Sequence, residues 1–212
     1  MARRTKRADR PGIPRGEPGG LSLALALLIT VALFGLGACS DPAAEAIHSD
    51  LTAIQESLDA SDDSGALRGA RRALTSHPDS PELQLAAALA CIGLKRYGEA
   101  ADYAEAGLAD KPKDAAVVAD LQWALGSTHL ALYVQLGEDD DWRLANSTLE
   151  RATSLSGNFR ANAAYALVRM QGLGGMGSEV RRDKFGRLFL ELEPDGEKAD
   201  KVRALMAAEG PR

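Results

Sequence analysis

Shifting residues 47–80 by 34 positions lays this chain over itself. Leu51 falls on Leu85, Leu58 on Ile92, Ala66 on Ala100, Ala70 on Ala104, Leu74 on Leu108 and Pro78 on Pro112, while Ala73 meets Gly107. A repeat of this period constrains the fold more than any single motif. Each unit must be a small element that buries its apolar face only against its neighbours. Small residues recur where two helices would cross closely, and proline recurs just past the second helix, which it cannot extend. The unit is a helix-turn-helix, used twice without a gap.

A third unit is visible in "ALGSTHLALY" and "DWRLANSTLERATSL". Ala100 to Ala145 is 45 residues, so this unit carries 11 more than the others, expected as a longer first helix and the acidic turn "GEDDDW". Ser80 before Pro81 reads as an N-cap with a first-turn proline. Asp114 would cap a 22-residue helix, "AAVVADLQWALGSTHLALYVQL", about 33 Å long at the usual rise. A fourth pair, "NFRANAAYALVRMQ" and "EVRRDKFGRLFLELEP", repeats the pattern more weakly. β-branched residues are sparse and no strand-like alternation occurs, so the class is all-α.

These units resemble the tetratricopeptide repeat (TPR). "KRYGEAADYAEAGLADKPKD" carries the second-helix pattern, with Tyr97, Ala100, Tyr103, Gly107-Leu108 and Pro112, and "SGALRGARRALTSHPDS" repeats it with Ala66, Ala73-Leu74 and Pro78. Asp63 replaces the turn tyrosine, and Gln84, Ala87 and Ala88 stand where the family prefers Trp, Leu and Gly. The resemblance implies a short TPR-like α-solenoid of about three to four helix pairs after an N-terminal signal helix. The repeats are 47–80, 81–114 and 115–157; a weaker fourth pair and a C-terminal helix occupy 158–212. It also implies that first-helix positions Glu82, Leu85, Leu89 and Ile92 line a concave groove, joined by Trp123. The rival expectation is that the C-terminal helices fold across and bury these side chains.

The N-terminal segment is a separate object. Residues 1–38 hold six bases and two acids in a chain whose net charge is -5, so the remainder is strongly acidic. Clustered Lys and Arg are what phosphate binding needs, and the acidic body argues against nucleic acid. A basic stretch, 1–20, precedes an uncharged apolar run, 21–38, which is the order of a secretory signal. Eighteen apolar residues also just suffice to span a bilayer, so an uncleaved anchor is the rival reading. Leu36-Gly37-Ala38-Cys39 resembles the lipobox of bacterial lipoproteins. That resemblance implies cleavage between Ala38 and Cys39 and acyl chains, such as palmitate, on Cys39. Residues 39–46 would then be a tether. The implied address is the bacterial cell envelope, lipid-anchored and facing the periplasm or exterior, with inner and outer membrane both open. Cys91, the other cysteine, is expected as a buried thiol without a disulfide partner.

Chemistry-bearing motifs are few. "QGLGGMG" contains G-x-G-x-x-G, but a dinucleotide site needs a strand before it, and "ANAAYALVRMQ" reads as a helix. No cofactor is expected. "DASDDSG" lacks the Gly and Glu of a calcium loop, and His48, His77 and His129 have no metal-ligand spacing. No nucleophile motif occurs. The expected role is therefore a scaffold for an unknown envelope protein or peptide. The alternative is a transport-associated lipoprotein holding a small molecule in an apolar pocket.

Overall fold

The computed structural model describes residues 42–172 and 177–207. Ala38, Cys39 and the whole signal-like segment lie outside the described residues. Among the described residues nine helices follow one another: α1 (Pro42–Asp59), α2 (Asp63–Ser76), α3 (Pro81–Gly93), α4 (Tyr97–Ala109), α5 (Ala115–Leu136), α6 (Asp139–Ser154), α7 (Arg160–Met170), α8 (Glu179–Leu192) and α9 (Glu197–Ala207). No strand occurs among the described residues.

Local chemistry accounts for the ends. Ser80 accepts from the Leu83 N–H and is followed by Pro81. Asp114 accepts from the Ala116 N–H at 2.7 Å and opens the 22-residue α5, which Gly137 closes at φ 75°. A left-handed residue just past a helix satisfies its last carbonyls, and glycine adopts it without steric cost. Two boundaries differ from the sequence reading. The acidic run is not a turn: Asp139, Asp140 and Asp141 form the first turn of α6, where carboxylates face the positive end of the helix dipole. The stretch expected as a tether is helical from Pro42 onward, because a first-turn proline and the helix formers Ala43, Ala44, Glu45 and Ala46 favour it.

Each helix packs on the next, and α1, α3, α5, α7 and α9 also pack on one another in a row. The second helices α2, α4, α6 and α8 never touch one another through their backbones. Helices that touch lie on the inside of the curve and those held apart lie on the outside, which defines a solenoid of four hairpins closed by α9. Buried small residues make the close crossings possible. Ala66, Ala70 and Ala73 line α2, Ala100 and Ala104 line α4, and Ala145 and Ala152 line α6. At Gly126 a Cβ would stand 2.7 Å from Leu149 Cγ and from Thr148 Oγ1, so α5 and α6 meet there with no room for a side chain. The core runs as two overlapping clusters, one over α1–α4 and one over α3–α9. Cys91 is fully buried in the first of them and unpaired.

Candidate functional site

Of the expected groove residues, Leu85 and Trp123 are buried, while Glu82, Leu89 and Ile92 stay partly exposed. Leu85 and Trp123 are each 8% exposed, Leu89 and Ile92 pack half-buried against the core, and Glu82 accepts a hydrogen bond from Ser80 Oγ. Trp123 is covered by Phe159, whose ring stacks on the indole with centroids 4.1 Å apart and planes 8° from parallel. The C-terminal part of the chain therefore folds across the position where a partner would have met this side chain.

The α6–α7 loop is held there by Asp120 of α5 and by one glycine. Asp120 accepts from Asn158 Nδ2 at 2.8 Å and from the Phe159 N–H at 3.1 Å. A Cβ at Gly157 would lie 2.6 Å from both Ala119 Cβ and Asp120 Oδ1, so only glycine permits that approach. Burial raises the Asp120 carboxyl above the ordinary aspartate range, against the lowering pull of the Phe159 and Asn158 hydrogen bonds. A group whose folded value is raised contributes most below its unfolded value, and the contribution is lost as pH rises through the folded value. Asp120→Asn retains an acceptor for Phe159, and a turned Asn158 amide can face it. The variant is expected to gain stability relative to wild type as pH rises from the aspartate range to neutrality. Urea unfolding at stepped pH checks this; a pH-independent difference would contradict it.

His129 and Asp141, joined Nδ1 to Oδ1 at 2.8 Å, pin the start of α6 to α5. No group of three His, Cys, Asp or Glu side chains among the described residues is placed to hold a metal. The glycine-rich stretch follows the helix α7 rather than a strand, and residues 173–176 within it lie outside the described residues.

Two open clefts lie on the outer face. A cavity of about 640 Å³ opens between α4 and α6, floored by Val118, Gln122 and Leu125 of α5 and walled by Leu108 and Thr148. A smaller one of about 290 Å³ occupies the equivalent place one hairpin earlier, between α2 and α4, over Gln84 of α3. Sequence reading missed both, because it looked for a surface on the first helices. The signal was present: Leu74 and Pro78, which line the smaller cavity, recur 34 residues on as Leu108 and Pro112, which line the larger.

Solved structures share this arrangement. The MamA protein aligns over 77% of this chain and 85% of its own, at 18% identity and a TM-score of 0.55. YrrB, described as a TPR protein with an unusual peptide-binding site, aligns over 77% of this chain and 83% of its own, at 18% identity and a TM-score of 0.51. The fold is a TPR solenoid. No family model and no curated protein matches the chain. As a TPR solenoid it departs from the uniform 34-residue plan in its third hairpin, where burial follows a 38-residue step. Leu83 corresponds to Leu121, Ala86 to Ala124 and Ala90 to Thr128, all buried. One extra turn at the start of α5 accounts for that step.

Proposed function

We propose that this chain is a scaffold that recruits a partner protein or peptide at a membrane of the bacterial cell envelope, held there by acyl chains on Cys39. The observation that carries the scaffold reading is the ladder of hairpins itself. It presents a long inner row and an outer face with clefts between successive second helices, the kind of extended surface that repeat proteins use for binding. The peptide-binding site described for YrrB, a protein of the same fold, supports it.

The membrane half is supported by sequence. A basic stretch, an uncharged apolar run and Leu36-Gly37-Ala38-Cys39 occur in the order of a lipoprotein signal. One acyl chain binds a bilayer only marginally, whereas two or three hold a protein there stably. Confinement to a surface then raises the effective concentration of the solenoid for other surface-bound proteins. An enclosed chamber near Leu89 and Trp123 would favour the small-molecule alternative. Phe159 instead stacks on Trp123, and the two open clefts lie on the outer face. The reading includes no catalytic step.

The test is metabolic labelling with a palmitate analogue, followed by in-envelope crosslinking of the wild type and Cys39→Ala. The wild type is expected to incorporate label, sediment with membranes and crosslink a partner. The variant is expected to lose all label and to migrate as the larger, unprocessed chain. Labelling unchanged in the variant removes the anchor, and absence of any crosslinked partner removes the scaffold.

A further inference from the structure

Three gaps separate successive second helices, and the chain bridges two of them itself. Across α2 and α4, Arg71 pairs with Glu99 and donates Nε–H to the Tyr103 hydroxyl at 2.9 Å. Across α6 and α8, Arg181 meets Glu150 at 2.7 Å. Between α4 and α6, no hydrogen bond or ion pair crosses among the described residues. An arginine is present there too: Arg151 lines that cleft together with Lys111. Both are exposed, and neither forms an ion pair among the described residues. The middle cleft thus has the cation of the other two and lacks the carboxylate.

A second observation points to a ligand. Gln122 is 8% exposed, lines this cleft, and its buried Oε1 has no hydrogen-bond partner. A buried acceptor without a donor is costly and rare enough to require an explanation, and the terminal torsion of glutamine is soft enough to swing the oxygen toward an incoming donor. The cleft is also wider than its predecessor for a definite reason. The 45-residue step that carries Ala100 to Ala145 carries Tyr103 to Thr148. The tyrosine ring lines the cleft of about 290 Å³, and the threonine leaves one of about 640 Å³.

We propose that the α4–α6 cleft seats an extended acidic-apolar segment of a partner polypeptide. An Asp or Glu carboxylate of the partner meets Arg151 and Lys111, a backbone N–H reaches Gln122 Oε1, and an adjacent apolar side chain lies on Leu108, Val118 and Leu125. Charged hydrogen bonds from arginine to carboxylate are the stronger kind, and the apolar floor supplies the burial. An extended chain fits better than a compact molecule because the feature repeats. Gln84 Oε1 is likewise buried without a partner, in the equivalent cleft on the same face. Packed helices stand roughly 9 Å apart, about three residues of extended chain at 3.3 Å each. This inference rests on the scaffold reading and places the contact on the outer face.

The experiment is an NMR titration of the full ¹⁵N-labelled chain in detergent micelles, read at the Gln122 side-chain amide and the Leu108 and Thr148 backbone amides. The probe is a doubly blocked nonapeptide with one central Leu-Glu pair in an Ala/Ser background. Leu-Gln and Leu-Lys versions and octanoate are the comparisons. The Leu-Glu peptide is expected to shift these resonances and to bind at least tenfold more tightly than the Leu-Gln peptide. Arg151→Glu, at an exposed position, is expected to leave the fold intact, weaken the Leu-Glu peptide at least tenfold and restore binding to the Leu-Lys peptide. Equal binding of the Leu-Glu and Leu-Gln peptides, no shift at Gln122, or octanoate binding as tightly as the peptide would each overturn the proposal. A partner crosslinked in the envelope equally by wild type and Arg151→Glu also overturns it while leaving the scaffold in place. A cleft that binds the peptide when no envelope partner is crosslinked by either form removes the scaffold reading alone.

Discussion

Phe159→Ala is expected to lower the unfolding free energy by about 3–5 kcal/mol, the usual cost of truncating a buried aromatic. The ring is 2% exposed and lies flat on Trp123, so its removal leaves a cavity between α5 and the start of α7 and uncovers the indole. The backbone around it is held by Asp120 and by the close approach at Gly157, which prevents the loop from collapsing into the space. The loss should therefore sit at the upper part of that range. Equilibrium urea unfolding measures it, and tryptophan emission should move to longer wavelength in the folded baseline as Trp123 meets water. The same structure fixes what Trp123→Ala does: it destabilises by a similar amount, whereas an exposed anchor would be lost at little cost. A loss below about 1 kcal/mol for Phe159→Ala would mean that the stack is not formed in solution.

Gly126→Leu tests the crossing of α5 and α6. Helix propensity alone favours the change by up to about 1 kcal/mol. Overlap opposes it, because the first added carbon already stands 2.7 Å from the branched carbon of Leu149, a side chain with no exposure and no space to retreat into. Overpacking of this kind costs about 1–3 kcal/mol and more when the backbone must move. A leucine here is expected to cost about 3 kcal/mol and to part α5 from α6. Because each hairpin is stable chiefly against its neighbours, the damage should spread, with amide exchange rising across α6–α9 before α1–α3. Uniform exchange, or a stabilised variant, would contradict the close crossing.

The hairpin plan could be read before any coordinates because repetition leaves several independent marks at once. The 34-residue offset, the prolines after second helices, Ser80-Pro81 and Asp114 all reflect local chemistry, and α5 runs over the expected Ala115–Leu136. What stayed hidden depended on distant parts of the chain. Nothing local to Trp123 announces that Phe159, 36 residues later, will lie on it; the one clue is the "SGNF" that pairs a glycine and a side-chain amide with an aromatic. The 38-residue step in α5 was masked by its N-cap, which keeps the 34-residue step while burial follows the other. Asp139–Asp141 looked like a solvated turn because acids suit turns and helix starts equally well. The outer clefts escaped notice because each needs three helices, and unpaired side chains such as Gln122 and Arg151 carry no mark in a sequence.

Membrane tethering of a paired-helix scaffold is tested most directly by the intact mass of the native protein recovered from envelopes. A chain beginning at Cys39 with the added mass of a diacylglyceryl group, with or without a further acyl chain on its amine, is the expected result. A native chain that retains residues 1–38, or one whose Cys39 is an unmodified thiol, would contradict the anchor.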